Sequence, residues 1–308
     1  VAKCLVVGAN GFIGSSLVDD LVRRGHDVSA FDRFSASAVS YESTDVRRFS
    51  GDFMNRADMR KAVEGQEYLF HFLSATTPAS AEDDPTVDIR TNIASSVELF
   101  QDAVDAGVRK VFFASTGGAI YGDQPFETLN ENVTPLPVSP YAIGKLAIEG
   151  YLRYFNRKFG LESVSFRISN PYGPRQRAVK RQGVIPIFLH RLTEGLPLVV
   201  LGDGSMVRDY IYAEDAVRMI GETVGRPSTH SVYNIGNGAG ASLSELLEII
   251  RAVTGIKPTI DARPVPSTYL DRVVLDTTRY TEEFGTLPVD TLESGIRKTW
   301  ENIRVMPV

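Results

Sequence analysis

A chain of 308 residues that is 43% hydrophobic and 23% charged is long enough for about two domains, and its composition excludes a disordered segment or a mini-protein. Its formal charge of −5 excludes the strongly basic footprint of a nucleic-acid-binding domain. No apolar run approaches the roughly 18 residues that cross a bilayer, so neither nucleic acid nor membrane is an expected partner.

The first strand is expected over Lys3–Val7. It holds the only cysteine, Cys4, which cannot close an internal disulfide and reads as a buried thiol in a reducing compartment. The chain opens into this strand rather than into a charged and apolar signal segment, so a cytoplasmic location is expected. The strand runs into Gly8-Ala9-Asn10-Gly11-Phe12-Ile13-Gly14, and a helix is expected over Ile13–Arg24. Glycines at this spacing give a tight turn, close approach of backbone to a pyrophosphate, and close packing of helix on strand. The pyrophosphate would rest on the N–H groups at the helix start. The second strand, Asp27–Phe31, ends at Asp32, where a carboxylate suits an adenosine ribose and favours NAD; Arg33 next door keeps an NADP reading open. Gly51-Asp52-Phe53 would end a third strand near the adenine, although Asp52 also reads as a turn residue.

Further strands are expected over Tyr68–Leu73, Val111–Ser115 and Ser163–Ile168, with helices over Asn92–Ala106 and Tyr141–Phe159. Short apolar strands alternating with amphipathic helices predict an α/β fold, a Rossmann-type doubly wound parallel sheet. Ser115 and Thr116 stand at the carboxyl end of Val111–Ser115, and either hydroxyl could donate to a substrate oxygen. Tyr141 and Lys145 stand one turn apart behind Pro140, at a helix start where ligands of open α/β sheets bind. A fixed ammonium and a nearby nicotinamide cation both favour phenolate, so with the cofactor in place Tyr141 is expected to have a lowered pKa and to exchange protons.

Tyr154 and Lys158 repeat the spacing, but about 20 Å further along the same helix. Ile143, Leu146, Ala147, Gly150, Tyr151 and Tyr154 recur at helical spacing and are expected to form its core-facing stripe, with Lys158 solvated. After Asn170 the chain turns to Pro/Gly-rich loops of the kind that carry sites. A nucleotide-binding domain over residues 1–170 and a smaller, partly interleaved C-terminal domain over 171–308 are expected, some of whose segments return to the first. No metal site is expected.

With these residues in view, the chain resembles the extended short-chain dehydrogenase/reductase family over nearly its whole length, in particular its nucleotide-sugar epimerases and dehydratases and most closely the epimerases of UDP-glucose and UDP-galactose. The resemblance rests on Gly8, Gly11 and Gly14; Asp32; Gly51-Asp52; His71-Phe72-Leu73-Ser74-Ala75; Asn92; Ser115-Thr116; Tyr141 and Lys145. It continues through Arg167 to Pro174 and from Gly202-Asp203-Gly204 through Arg208-Asp209-Tyr210-Ile211-Tyr212 to Asp215. It implies that Leu73, Ser74, Ala75 and Asn92 line bound NAD, that Asn170 contacts a sugar nucleotide, and that Val184 runs beside the uracil. Arg208 would hold the diphosphate, with Arg272 or Arg263 as the second arginine and Arg272 preferred; Val273 falls near the position that gates the sugar. The implied reaction is 4-epimerisation of a UDP-hexose through a transient 4-keto sugar, with reduction of a 4-keto nucleotide sugar or non-catalytic dinucleotide sensing as alternatives. Gly117-Gly118 replaces the acidic pair of the dehydratases, which argues against elimination. The resemblance also implies a homodimer built on helices Asn92–Ala106 and Tyr141–Phe159.

Overall fold

The structure, a computed structural model, describes residues 1–34, 39–176, 183–266 and 269–305. In chain order it begins β1 (Lys3–Val7), α1 (Phe12–Arg23), β2 (Asp27–Asp32), β3 (Arg47–Ser50), α2 (Arg56–Val63) and β4 (Tyr68–His71). Two short helices follow, α3 (Pro78–Asp83) and α4 (Pro85–Asp88), then a π turn (Ile89–Ile93), α5 (Ala94–Asp105), β5 (Lys110–Thr116), α6 (Pro140–Phe159) and β6 (Glu162–Ile168). The remainder is β7 (Asn170–Tyr172), α7 (Val184–Thr193), β8 (Leu198–Leu201), β9 (Val207–Tyr212), α8 (Ala213–Glu222) and β10 (Val232–Ile235). It ends with β11 (Gly240–Ser242), α9 (Leu243–Thr254), β12 (Ile260–Arg263), β13 (Arg272–Val273), α10 (Thr278–Phe284) and α11 (Leu292–Val305).

The central sheet has seven strands in the order β10-β6-β5-β4-β1-β2-β3. Pairing is parallel from β3 through β2, β1 and β4 to β5, as the alternating pattern predicts. Cys4, Leu5, Val6 and Val7 are all fully buried, which explains why β1 shows no polar alternation: both of its faces are covered. The chain leaves β1 for β2 and β3, then returns to place β4 on the other side of β1. That reversal opens a crevice outside the carboxyl ends of β1 and β4, the place where ligands of doubly wound sheets bind.

The chain divides at several points. Val1–Thr116, Ser139–Arg167 and Val217–Tyr233 form one compact unit, and Gly117–Val138, Ile168–Ala216 and Asn234–Val308 form another. In the first, Leu5, Val7, Phe31, Leu69, Val111 and Phe113 of the sheet pack with Met59 of α2, Leu99 and Phe100 of α5, and Ile148, Leu152 and Phe155 of α6. The expected stripe on α6 is therefore on the wrong side. Ile143, Tyr151 and Tyr154 are 51%, 41% and 47% exposed, whereas Ile148, Leu152 and Phe155 are buried.

The second unit has its own core, in which Tyr172, Phe188, Leu189, Tyr210, Tyr212, Leu246 and Trp300 meet. The stretch expected as loops contains β7, α7 and β8. β9 pairs antiparallel with β11 and parallel with β13 and β7, and β8 pairs parallel with β12. Among the described residues no helix is long and apolar enough to cross a membrane.

Candidate active site

The turn from β1 to α1 is built around backbone that side chains would obstruct. Gly8 has φ of +90°, and a Cβ on it would lie 2.7 Å from the Leu73 nitrogen. A Cβ on Gly14 would overlap the Gly8 carbonyl oxygen. Gly11 begins α1 with no side-chain cap, so the N–H groups of Phe12, Ile13 and Gly14 stay open toward the crevice. Free donors, the positive end of a helix dipole and no Cβ in the way make a cradle that fits a pyrophosphate. Beside it the Asp32 carboxylate accepts from Asn10 N at 2.9 Å and Arg33 N at 2.7 Å, which fixes it at the end of β2. Asn10 Oδ1 in turn accepts from Ser40 N at 2.7 Å.

Asp52 follows β3 in a turn, where its Oδ1 accepts from Met54 N at 2.9 Å. Phe53 is buried, with its ring 5.2 Å from that of His71, so its side chain belongs to the core. Leu73, Ser74 and Ala75 follow β4 over the glycine turn, with Ser74 Oγ donating to Thr76 O at 2.9 Å. Asn92 lies in the π turn and spends its amide inside the protein. Its Oδ1 accepts from Ala75 N at 2.8 Å, and its Nδ2 donates to Thr76 Oγ1 at 2.8 Å and Asp88 Oδ1 at 2.7 Å. Its geometry is that of a clamp on the 74–76 loop.

At the start of α6, Ser139 caps through Oγ, which accepts from Ala142 N, and Pro140 occupies the first turn. This sets Tyr141 and Lys145 beside the end of β5. Lys145 Nζ donates to Ala114 O at 2.9 Å and lies 5.7 Å from the centre of the Tyr141 ring. Thr116 ends the same strand. Neither its hydroxyl nor that of Tyr141 hydrogen bonds to another described residue.

Ser115 does not share that position. It is buried and donates through Oγ to Glu149 Oε1 at 2.6 Å, and Glu149 is held by Arg167 at 2.8 Å in an ion pair with almost no exposure. Successive side chains on a strand point to opposite faces, so Ser115 and Thr116 cannot both meet one ligand. The expected catalytic role of Ser115 is replaced by a link to this buried pair. Glu149 and Thr76 carry no motif of their own, and Arg167 enters the sequence reading only as the first residue of the stretch that runs to Pro174; the only sequence signal for Glu149 is its place one turn beyond Lys145 on the same helix face.

Within the protein alone, without the cofactor's cation, burial dominates the ionisation of the pair. Burial, reinforced by Asp88, pushes the Tyr141 phenol up to about 12. Burial brings Lys145 down to about 8, against the pull of Asp88 and Glu149. His71, held down to about 3 by burial and by Lys145, is neutral. The protein alone keeps Tyr141 as a phenol, because desolvation of the anion outweighs an ammonium that is itself partly neutralised. An added positive charge near the ring would favour the phenolate, and the arrangement can then pass a proton between Tyr141, Thr116 and a ligand hydroxyl.

In the second unit, Asn170 Nδ2 donates to Asp209 O at 3.0 Å. Val184 is the first residue of α7, behind Gly183. Arg208, expected at a diphosphate, donates to Val207 O at 2.8 Å and Leu270 O at 2.6 Å. Arg272 reaches Glu127 O at 3.1 Å, while Arg263 pairs with Asp261 at 2.7 Å on the surface. Val273 is buried in β13. In the stretch between them Ser267 and Thr268 lie outside the described residues. Asp209 is fully buried and accepts from the N–H groups of Asn237, Gly238 and Leu275, so this motif residue ties β9 to the segment after β10 and the segment after β13.

Residues 4–236 match the profile of the NAD dependent epimerase/dehydratase family. The chain is 35% identical to a UDP-glucose 4-epimerase of Mycolicibacterium smegmatis, with 98% of each chain covered. It is 30% identical to a dTDP-4-dehydro-6-deoxyglucose reductase of Escherichia coli over 97% of each. The crystal structure of Thermus thermophilus UDP-glucose 4-epimerase in complex with NAD superposes with a TM-score of 0.91 at 32% identity, again over 98% of each chain. With its glycine cradle, its Tyr141–Lys145 pair and a family match across more than two thirds of its length, the chain belongs to the NAD-dependent epimerase/dehydratase family.

Proposed function

We propose that the protein binds NAD and interconverts the C4 epimers of a UDP-hexose of the glucose and galactose type. The observation that carries this reading is the placement of Tyr141 and Lys145 on the first turns of α6, with Lys145 anchored on Ala114 O directly before Ser115 and Thr116. When bound, NAD supplies the acceptor and the return donor for the hydride of carbon four. Phe12, Ile13 and Gly14 offer N–H groups to its pyrophosphate, and Asp32 accepts from its adenosine ribose and disfavours a 2′-phosphate. Leu73, Ser74 and Ala75 border the nicotinamide ribose, on a loop that Asn92 holds.

Tyr141, acidified by the cofactor's positive ring, takes the proton of the sugar's 4-hydroxyl directly or through Thr116, and Lys145 orients the cofactor ribose. In the second unit Asn170, Val184, Arg208 and Arg272 take the nucleotide end of the substrate, with Arg208 exchanging its backbone carbonyl partners for phosphate oxygens. The similarity to M. smegmatis UDP-glucose 4-epimerase supports the choice of substrate, and the exposed apolar face of α6 supports a homodimer. A buried Cys4, whose thiol burial pushes up to about 12, supports a reducing, cytoplasmic setting.

The E. coli relative favours one second reading, a reductase of a 4-keto nucleotide sugar built on the same residues. Incubation with UDP-galactose and trace NAD separates them. UDP-glucose formed over many turnovers at constant cofactor is the expected result; NADH consumed in proportion to product with a 4-keto sugar would replace epimerase by reductase. Tyr141→Phe is expected to lower epimerisation at least about a hundredfold while NAD binding is retained. Undiminished turnover in that variant would remove Tyr141 from the reaction.

A further inference from the structure

A carboxylate is buried against the helix that carries the two residues on which that reaction depends. Asp88, the last residue of α4, is 3% exposed. Its Oδ1 accepts from Thr76 Oγ1 at 2.5 Å and from Asn92 Nδ2 at 2.7 Å, so the group is clamped from two sides. Its Oδ2 has no hydrogen bond among the described residues and reaches the backbone of α6 at Gly144, where a Cβ would overlap it. Position 144 lies between Tyr141 and Lys145. The helix therefore lacks a side chain at the one point where the carboxylate approaches.

A buried anion with neutral donors on one oxygen and none on the other is costly, and packing alone gives no reason for an acid at this place. We propose that Asp88 is a positioning residue of the Tyr141–Lys145 pair, a fixed anion seated in the gap at Gly144 that acts as counter-ion to the Lys145 ammonium. The inference rests on the proposed reaction only in so far as it gives the pair its task. Asp88 keeps Lys145 protonated against its burial, and the same charge holds Tyr141 as a phenol until a cationic ring arrives. The other charged groups near it are accounted for. Glu82 and Asp83 of α3 and Arg90 of the π turn are exposed, Glu149 of α6 is paired with Arg167 of β6, and His71 of β4 is neutral.

Asp88→Asn keeps the Oδ1 acceptor and removes the charge. In the full chain, lysine labelled with carbon-13 at Cε and assigned with Lys145→Arg reports the Lys145 titration by NMR without any substrate. Its midpoint, near pH 8 in the wild type, is expected to fall by about one unit in Asp88→Asn. The basic limb of the pH–turnover profile should fall by the same amount. Gly144→Ala, which displaces the carboxylate without removing it, is expected to shift the same midpoint in the same direction and to have no further effect once Asp88 is Asn. These two variants fail independently, so loss of folding in one leaves the other as the test. A Lys145 midpoint that stays in place in a folded variant overturns the inference, since a structural role for Asp88 would lower stability alone. A midpoint that shifts in a protein inactive on every UDP-hexose supports the inference and overturns the proposed reaction.

Discussion

Lys145 is where burial and charge oppose each other most directly, and the opposition has a thermodynamic signature. Its pKa falls from 10.5 to about 8, with burial the largest cause and Asp88 and Glu149 acting against it. Below pH 8 both the folded and the unfolded chain carry the ammonium, and the folded state bears the full cost of burying it. Between about 8 and 10.5 the folded state sheds its proton first, so the cost is relieved as pH rises; above 10.5 both states are neutral and it is gone. The group's contribution to stability therefore increases with pH across that window, by about 3 kcal/mol in all. Lys145→Met removes the titration. Denaturant unfolding of both proteins is expected to show the variant gaining relative to the wild type near pH 7 and losing that gain by about pH 10. Parallel curves would mean that the buried amine keeps an ordinary pKa. Ser115 and Thr116 carry a different lesson. Both hydroxyls are candidates in sequence, and the alternation of side chains along β5 decides that only one can face a ligand.

The first strand, turn and helix show how much a local pattern can specify. The glycine spacing, β1, β2 and the acid at Asp32 are readable because each follows from a constraint on a few adjacent residues: complete burial, absence of Cβ, or a strand end. Gly14 makes the constraint testable. Its backbone is open to other residues, but an alanine Cβ would overlap the Gly8 carbonyl oxygen. Gly14→Ala is expected to destabilise the fold by about 1–3 kcal/mol and to weaken NAD binding at least tenfold, as measured by thermal melting and calorimetric titration. Unchanged binding would mean that the turn relaxes without disturbing its donors. Helix α6 marks the limit of such reading. It is apolar on two faces, and at about 100° per residue the centre of Ile143, Ala147, Tyr151 and Tyr154 lies roughly 125° around the helix from that of Lys145, Ile148, Leu152 and Phe155. Periodicity finds both stripes but cannot say which one meets the sheet, and the inward stripe is disguised by Lys145 and Glu149, polar residues kept inside by partners on β5 and β6. Asp88 is hidden for the same reason: its partners, Thr76, Asn92 and the gap at Gly144, come from three separate segments. In the second unit the strands run only 2–6 residues, too short for alternation to stand out among prolines and glycines.

The face of α6 that turns away from the sheet bears on the assembly of the protein. Ile143, Tyr151 and Tyr154 are half exposed along it, and Ile89 at the start of the π turn is 58% exposed. Lys158 Nζ donates to Tyr154 OH at 2.9 Å, so the second tyrosine–lysine pair lies on this outer surface, away from the first. A second copy of the chain is the proposed occupant, its own α5 and α6 meeting these helices in an isologous four-helix packing. Aromatic residues dominate such interfaces. Ile143→Glu combined with Tyr151→Glu would place four like charges across the two-fold axis and is expected to raise the dimer dissociation constant at least about a hundredfold. Sedimentation velocity over a dilution series should show the wild type as a dimer at micromolar concentration and the double variant as a monomer. Because the same helix carries Tyr141 and Lys145 on its first turns, the monomer should also melt at lower temperature and lose turnover in proportion. A wild type that sediments as a monomer throughout, or a double variant that remains dimeric, would assign this apolar face some other purpose.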